Sequence, residues 1–441
     1  MKIVHLLGWY FPDSVGGTEV YVEGLCRRLK DAGHDVLIAA PDSTRTAPCQ
    51  YDYGGVSVFR YPVTSEPTRD ESYHRVAMRG SEHLITWLAA ERPEILHVHS
   101  IKTGIGLPEL RAARQLGIRV ITTFHLPSLG YMCRTGELME GGKQPCDGIV
   151  RPSKCAACSL THVGLPPIAS RLAGAIPPWI GSGLRVIPGR AGTVLGMSAL
   201  VVDYGKMQRE LFTIVERCVV LNETAYRMLL ADGAPSDRLA INRLGVSQTN
   251  IQRKPGPDAR PTRRPVHFGF AGRLHAAKGL TQAVRAVRAI PRDVEFRFDI
   301  RAPTLDAGAR AFADDLRRLA GDDPRVRFEP AVRSAEIPSV LSEIDALLSP
   351  SLWFENGPTI ALEAMAVGTP VIATRVGNLT ELIQDGVNGR LVEPGSIPEL
   401  TAALHEAAAH PESTIDLWRR ALPPVRTMDD IARDYLTLYA A

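Results

Sequence analysis

The segment Ser351-Leu352-Trp353-Phe354-Glu355-Asn356-Gly357-Pro358-Thr359-Ile360-Ala361-Leu362-Glu363 follows a short apolar run, Ala346–Ser349. It reads as the end of a strand, a loop and the start of a helix. Pro358 suits the first helical position, where its missing N–H would have no partner in any case. The N–H groups of Thr359, Ile360 and Ala361 then fall in the first turn, without intrahelical carbonyls to bond. A helix start of this kind attracts anions. Glu355 lies in the loop and Glu363 in the second turn, two carboxylates eight residues apart. Backbone donors for a phosphate, beside two acceptors for hydroxyl pairs, suit a nucleotide sugar.

Strand and helix patterns alternate on both sides of this segment. Val266–Phe270, Glu295–Ile300 and Val326–Glu329 read as strands before it, and Val371–Ala373 and Arg390–Val392 after it. Helical patterns cover Leu280–Ala289 and Arg310–Leu319. The N-terminal half repeats the theme, with strands at Ile3–Gly8, His34–Ala39, Ile95–Val98, Val120–Phe124 and Cys218–Leu221. A helix from about Thr18 to Ala32 puts Val22, Leu25, Cys26 and Leu29 on one face, and Leu107–Leu116 is another. Repeated strand, helix, strand means parallel sheets covered by helices. The Pro- and Arg-rich stretch Ser247–Pro265 is the linker candidate. At 441 residues the chain exceeds one ordinary core. The expected fold is α/β: two doubly wound, Rossmann-like domains facing across a cleft. The N-terminal domain would span 1–248, with a Cys-rich insertion at about 131–202, and the C-terminal domain 249–425. A last helix, 426–441, would pack back on the N-terminal domain.

Apolar content of 45% and charged content of 22% are those of a soluble globular chain. The net charge of +3 is too small to imply a nucleic-acid partner. No apolar run reaches the ~18 residues needed to span a bilayer. Met1–Tyr10 reads as a buried strand rather than a signal peptide, which places the protein in the cytoplasm.

Three further constellations carry chemistry. In Phe270-Ala271-Gly272-Arg273-Leu274-His275-Ala276-Ala277-Lys278-Gly279, two cations stand between a strand and a helix start. The Arg273 fork and the Lys278 point charge can neutralise a diphosphate. Gly16-Gly17-Thr18-Glu19 follows the first strand. It reads either as a close backbone approach to a ligand, or as a turn with Thr18 as N-cap and Glu19 in the first helical turn. His125 sits just after the strand ending at Phe124, where ligand residues collect in such folds. His97 and His99 flank the end of another strand and read as structural.

The set as a whole resembles a retaining glycosyltransferase of family 4 with the GT-B fold. The resemblance rests on Gly272-Arg273 with Lys278-Gly279, on Glu355 and Glu363 followed by Ala364-Met365-Ala366-Val367-Gly368-Thr369-Pro370, and on Asp385-Gly386-Val387-Asn388-Gly389. It runs through most of residues 1–40 and 215–441. It implies that Arg273 and Lys278 bind the donor diphosphate and Glu355 the donor-sugar hydroxyls. Glu363 would bind the ribose diol. Gly16 and Gly17 would close over the phosphates, and His125 would contact the sugar near the reacting carbon. Asn356, Gly357 and Thr359 belong to the same donor loop. Asp-x-Asp, the metal signature of the other major glycosyltransferase fold, is absent from the sequence. Charge on the leaving diphosphate then falls to Arg273, Lys278 and the helix start. The expectation is metal-independent transfer without a catalytic cofactor. The acceptor would be a hydroxyl on a sugar, glycolipid or other glycoconjugate. The rivals are a nucleotide-sugar epimerase of the same fold and a non-catalytic, zinc-containing binding protein.

Cys133, Cys146, Cys155 and Cys158 cluster within 26 residues. The final Cys-x-x-Cys is a chelating pair, and four thiolates suit a closed tetrahedral zinc site, with an iron–sulfur cluster or a redox disulfide as alternatives. Some relatives of the family carry a similar insertion. Residues 148–202 contain no Asp or Glu but include Arg151, Lys154, Arg171, Arg185 and Arg190. This stretch is the candidate for an acceptor-binding or membrane-surface element, at the inner face of the membrane.

Overall fold

The computed structural model describes residues 1–13, 16–125, 132–142, 144–246, 265–304 and 306–441. The linker expected at Ser247–Pro265 lies, but for Pro265, outside the described residues. The chain divides into two compact units. One comprises Met1–Gly141, Cys146–Ser247 and Met428–Ala441, the other Gly142–Pro145 and Gln248–Thr427.

The sheet of unit 1 contains β1 (Lys2–Leu6), β2 (Asp35–Asp42), β3 (Cys49–Tyr53), β4 (Val56–Pro62), β5 (Ile95–Val98), β6 (Arg119–Phe124), β7 (Arg217–Val220) and β8 (Leu239–Ile241). Its order is β8-β7-β6-β5-β1-β2-β4-β3, parallel except for β3, which runs antiparallel to β4 at the edge. Strands covered on both faces read as continuous apolar runs. Ile3, Val4 and Leu6 of β1 are fully buried, and so are the polar interruptions His5 and His97, which face each other in the β1–β5 register. Helix α1 (Gly17–Asp31) buries Val22, Leu25, Cys26 and Leu29, the face its periodicity predicts. The last helix of the chain, Met428–Ala440, belongs to this unit. It buries Ile431, Tyr435 and Tyr439, and its Asp429 pairs with Arg28 of α1 at 2.7 Å.

The acid-free stretch is mostly helical. It forms α2 (Pro152–His162), α3 (Pro167–Gly174), α4 (Pro178–Leu184) and α5 (Gly189–Leu195), and leads into α6 (Met197–Ile214). Ala156, Leu160, Met197, Leu200 and Val201 make its own small core. Gly174 lets α3 close on α2, since a Cβ there would stand 2.8 Å from the Ser153 carbonyl oxygen.

The sheet of unit 2 contains β9 (Val266–Ala271), β10 (Phe296–Arg301), β11 (Val326–Glu329), β12 (Ala346–Ser349), β13 (Val371–Thr374) and β14 (Gly389–Val392). Its order is β11-β10-β9-β12-β13-β14, with every pair parallel. The chain winds outward from β9 to β11, returns to β12, and winds the other way. The direction reverses between β9 and β12, and in open α/β sheets the crevice outside such a switch point is where ligands sit. Helix α7 (Leu280–Ala289) follows β9, and α8 (Thr359–Ala366) follows β12. No helix of the described residues is long and apolar enough to cross a membrane.

Candidate active site at the strand ends

In unit 2 the two motifs meet because their strands are neighbours. The loop from Gly272 to Gly279 leaves β9, and the loop from Pro350 to Pro358 leaves β12. The Leu352 N–H donates to the Ala277 carbonyl at 2.7 Å. Gly279 adopts φ +72°, and a Cβ there would stand 1.8 Å from the Pro350 carbonyl oxygen. Only glycine permits that approach.

This contact brings Lys278 to Glu355, Nζ to Oε1 at 2.6 Å. The same Oε1 accepts from the Ser351 hydroxyl, and from Trp353 Nε1 at 3.1 Å. Glu355 is buried. Gly377 (φ +50°) packs against its backbone, and the Asn378 N–H donates to its carbonyl at 2.7 Å. One carboxylate oxygen is therefore anchored by three donors, while Oε2 has no protein partner among the described residues. Glu355 is a held acceptor with one face open, which is what binding a sugar hydroxyl requires. Trp353 stacks on His275 with ring centres 5.4 Å apart. Ser351, Trp353, His275 and Gly377 were not singled out from the sequence. Ser351 and Trp353 lie inside the quoted segment, but no spacing rule marks them.

Arg273 is exposed, and no described residue holds its guanidinium. Glu363 lies on α8, and burial pushes its carboxyl up to about 7. No described residue bonds that carboxyl either. Asn356 is buried and Thr359 exposed. The helix start differs from expectation. Helix α8 begins at Thr359, with Pro358 as its N-cap rather than its first residue. The Thr359 N–H bonds the Gly357 carbonyl at 2.9 Å and the Ala361 N–H that of Pro358 at 3.0 Å. Of the three N–H groups, only that of Ile360 keeps no partner among the described residues. The tight turn at Gly357 consumes the others.

In unit 1 the order reverses between β1 and β5. Gly16 and Gly17 follow β1, His99 follows β5 and His125 follows β6. Helix α1 starts at Gly17 with Gly16 as N-cap, so Thr18 is not the cap. A Cβ on Gly16 would crowd the Glu19 carboxylate at 2.6 Å, whereas Gly17 has nothing within 4 Å. His125 Nε2 lies 3.0 Å from His99 Nδ1, and His99 Nε2 lies 2.9 Å from His5 Nδ1. His97 bridges Thr123 and Tyr439, and Thr123 continues to Tyr435 at 2.7 Å. Burial pushes His5 and His125 down to about 3, and it holds His97 and His99 well below the ordinary range. All four rings are neutral at physiological pH.

His5 Nε2 is buried without a partner among the described residues. An unused lone pair is tolerated better there than an orphaned N–H. The protons of the chain therefore sit on Nδ1 of His5 and of His99, and His125 accepts at Nε2. Nitrogens of His5, His97 and His99 lie within 4.8 Å of one another. Both nitrogens of His97 are already bonded, so the group reads as a hydrogen-bonded column rather than a metal centre. Its members come from positions 5 to 439, and sequence spacing carried no sign of it.

The four clustered cysteines line one cavity of about 40 Å³. Backbone N–H groups of Gly141 and Arg151 point at the sulfurs of Cys158 and Cys155, at 3.4 and 3.3 Å. All seven cysteines are unpaired. Only the histidine group brings three ligand atoms within 4.8 Å among the described residues, so the cysteine sulfurs are set wider than a zinc ion would hold them.

Two doubly wound units, each with motif-bearing loops at its own strand ends, have the architecture of the GT-B fold, and the comparisons agree. A model described as "Glycosyl transferase 4-like domain" matches residues 16–245, and "Glycosyl transferases group 1" matches 265–410. The chain belongs to the glycosyltransferase 4-like family. It is similar to a D-inositol 3-phosphate glycosyltransferase of Arthrobacter sp., 35% identical over 35% of this chain and 37% of the relative. It is also similar to an MMP alpha-(1->4)-mannosyltransferase of Mycolicibacterium hassiacum, 25% identical over 99% and 97% of the two chains. The matches to the amylovoran biosynthesis glycosyltransferase AmsK of Erwinia amylovora and to the Arthrobacter enzyme span 56% and 37% of those relatives' lengths. Among solved structures, sucrose-phosphate synthase from Thermosynechococcus elongatus superposes with a TM-score of 0.66 at 17% identity, covering 100% of this chain and 98% of that one. Anabaena Alr3699/HepE, in complex with UDP and glucose, gives 0.61 at 15%, covering 100% of both chains. At those identities the likeness shows the fold.

Proposed function

We propose that the protein is a retaining glycosyltransferase, moving a sugar from a nucleotide-diphosphate donor to an acceptor hydroxyl in polysaccharide or glycoconjugate biosynthesis. The observation that carries this reading is Glu355, with Oε1 held by Lys278, Ser351 and Trp353 and Oε2 left for a ligand. Glu355 Oε2 takes a donor-sugar hydroxyl and Glu363 the ribose diol. Lys278 and the unpaired Arg273 take the diphosphate. As the glycosidic bond breaks, charge grows on the diphosphate and these two cations stabilise it without a metal. The leaving oxygen takes the acceptor proton on the same face, which retains configuration. Gly17, with open space around it, lets the backbone approach the phosphates, and His125 contacts the sugar as a neutral ring. Phosphate-binding complexes among the neighbours, such as HepE with UDP, favour a nucleotide donor. The enzyme works in the cytoplasm at the inner membrane face.

The cysteine set is read as a structural zinc site. The shared cavity and the N–H···S bonds support it, and binding would require the sulfurs to draw together. Cys133, Cys146, Cys155 and Cys158 would hold the ion, which would supply folding energy and no catalysis. One zinc per chain by elemental analysis supports this, whereas no metal or a visible chromophore overturns it.

The function is tested by screening UDP-, GDP- and ADP-sugars for thermal stabilisation, then following transfer by NMR. Retention of anomeric configuration and full activity in excess chelator are expected. Inversion, strict Mg²⁺ dependence, or isomerised sugar formed without any acceptor would each overturn the reading.

A further inference from the structure

Seven of the thirteen large apolar side chains exposed among the described residues lie between 163 and 187, so the exposure is local. Ile168 (74%), Leu172 (71%), Trp179 (77%) and Val186 (77%) stand furthest out. The inner sides of these helices are already packed, through the small core under α2 and the close glycine contacts at Gly174, Gly181 and Gly192. The outward residues are therefore not needed to close the fold. A concentration of exposed apolar side chains on successive short helices marks an interaction surface.

Beside it, within the same unit, lies a groove of about 1160 Å³. Arg69, Arg134 and Arg190 line it, together with Tyr73, and no carboxylate among the described residues does. The guanidinia of Arg69 and Arg134 stand 5.9 and 5.5 Å from the Tyr73 ring centre. Neighbouring cations are paired: Arg75 and Arg185 with Asp203, Arg151 with Asp147, and Lys154 with Glu140. Arg69, Arg134 and Arg190 have no carboxylate partner among the described residues, though Arg69 donates to the Arg185 carbonyl at 2.6 Å. Leu160, Val163 and Met197 form the apolar part of the groove, and exposed Val163 joins it to the helical face.

We propose that groove and face form one site for a phosphorylated acceptor carried on a lipid. The groove arginines hold the phosphate, and the α3–α5 face enters the headgroup boundary of an anionic bilayer. Three guanidinia without a carboxylate among the described residues select an anion. An apolar face containing a tryptophan, flanked by arginines over 55 acid-free residues, selects a membrane over a soluble partner. The word acceptor rests on the glycosyl-transfer reading, while the lipid surface stands independently of it.

The test is co-sedimentation of the full chain with vesicles of phosphatidylcholine, alone or mixed with phosphatidylglycerol. Binding to the anionic vesicles should be about tenfold tighter, and should weaken with salt. Leu172→Ser with Trp179→Ser should lower it about tenfold or more, as should Arg134→Gln with Arg190→Gln. Leu172, Trp179 and Arg190 are exposed and Arg134 is half-buried, and an unchanged melting temperature certifies the fold. No sedimentation, wild-type binding by the Leu172/Trp179 variant, or full displacement by millimolar glycerol 3-phosphate would each overturn the proposal. If vesicles bind while UDP-, GDP- and ADP-sugars all leave the melting temperature unchanged, the transferase reading falls and the lipid site stands. The opposite pattern removes the lipid site alone.

Discussion

In unit 2 the loops leaving the sheet at its switch point carry charge, and in unit 1 the corresponding strand ends carry neutral imidazoles. Lys278 and Glu355 are an ion pair reinforced by Ser351 and Trp353. His5, His97, His99 and His125 are uncharged rings linked to one another or to Thr123, Tyr435 and Tyr439. Both arrangements fix a strand-end side chain in place. A charged anchor suits a group that must neutralise a diphosphate. On the proposed reading, a neutral column suits a group that positions a sugar without adding charge. The same topology thus supports two electrostatic designs, and each has its own weakness.

The weakness of the neutral column is acid, and the largest effect follows from it. Unfolded histidines protonate near pH 6.5, whereas His5 and His125 hold off to about 3. Between those values the unfolded state binds more protons, so unit 1 loses stability as the pH falls through 6.5 and below. Each such histidine contributes about 1.4 kcal/mol per pH unit. In unit 2 the bonded carboxylates of Asp299 and Asp323 have depressed values, so their stability persists to pH below 3.8. Hydrogen exchange read separately for the two sheets, corrected for intrinsic rates, should show unit 1 opening first between pH 6 and 5. Parallel loss in both units would break the comparison.

The charged anchor should be sensitive to neutralisation instead. Glu355→Gln keeps the shape but removes the ion pair, and transfer should fall about 10³-fold with the fold retained. Equal activity of this variant would mean that Glu355 is not the sugar-holding group. A smaller effect is expected one step back. Gly377→Ala would place a Cβ 2.4 Å from the Glu355 carbonyl oxygen at a positive φ, shifting the backbone of Glu355. A fall in kcat of about 10²-fold, greater than the change in KM, would mark Gly377 as a positioning residue. An equal loss of both with a lowered melting temperature would reduce its role to stability.

The two sites also differed in what the sequence disclosed. The strands of unit 2 were legible because each is a short apolar run between turn residues, and all six begin and end within a residue of the expected places. Its motifs were legible because each lies in one continuous loop. That both oxygens of Glu355 would have different fates was not, since it depends on β9 and β12 being neighbours. In unit 1, β3 was missed because Cys49–Tyr53 is a polar edge strand, half exposed. The α3–α5 helices were missed because each has eight residues or fewer, too few for a helical period to register. The histidine column draws on three strands and the last helix, and only the folded sheet brings them together.

The smallest effect concerns Glu363 of the candidate donor site. Its carboxyl is pushed up to about 7, above the ordinary value of 4.5. The folded state therefore holds this proton more tightly than the unfolded one, and Glu363 stabilises unit 2 only while protonated. That stability begins to fade above pH 4.5 and is gone above 7. Binding has the opposite preference, because only the carboxylate accepts from both hydroxyls of a ribose diol. Affinity for a nucleoside diphosphate should therefore rise with pH up to about 7 and level off, at most about tenfold per pH unit below it. Calorimetric titration with UDP, GDP and ADP across that range measures the step for whichever base binds. Glu363→Gln should flatten the step, at the affinity of the protonated wild type. A pH step that survives the substitution would move the diol to another residue and leave the anchored Glu355 as the only assigned carboxylate of the charged site.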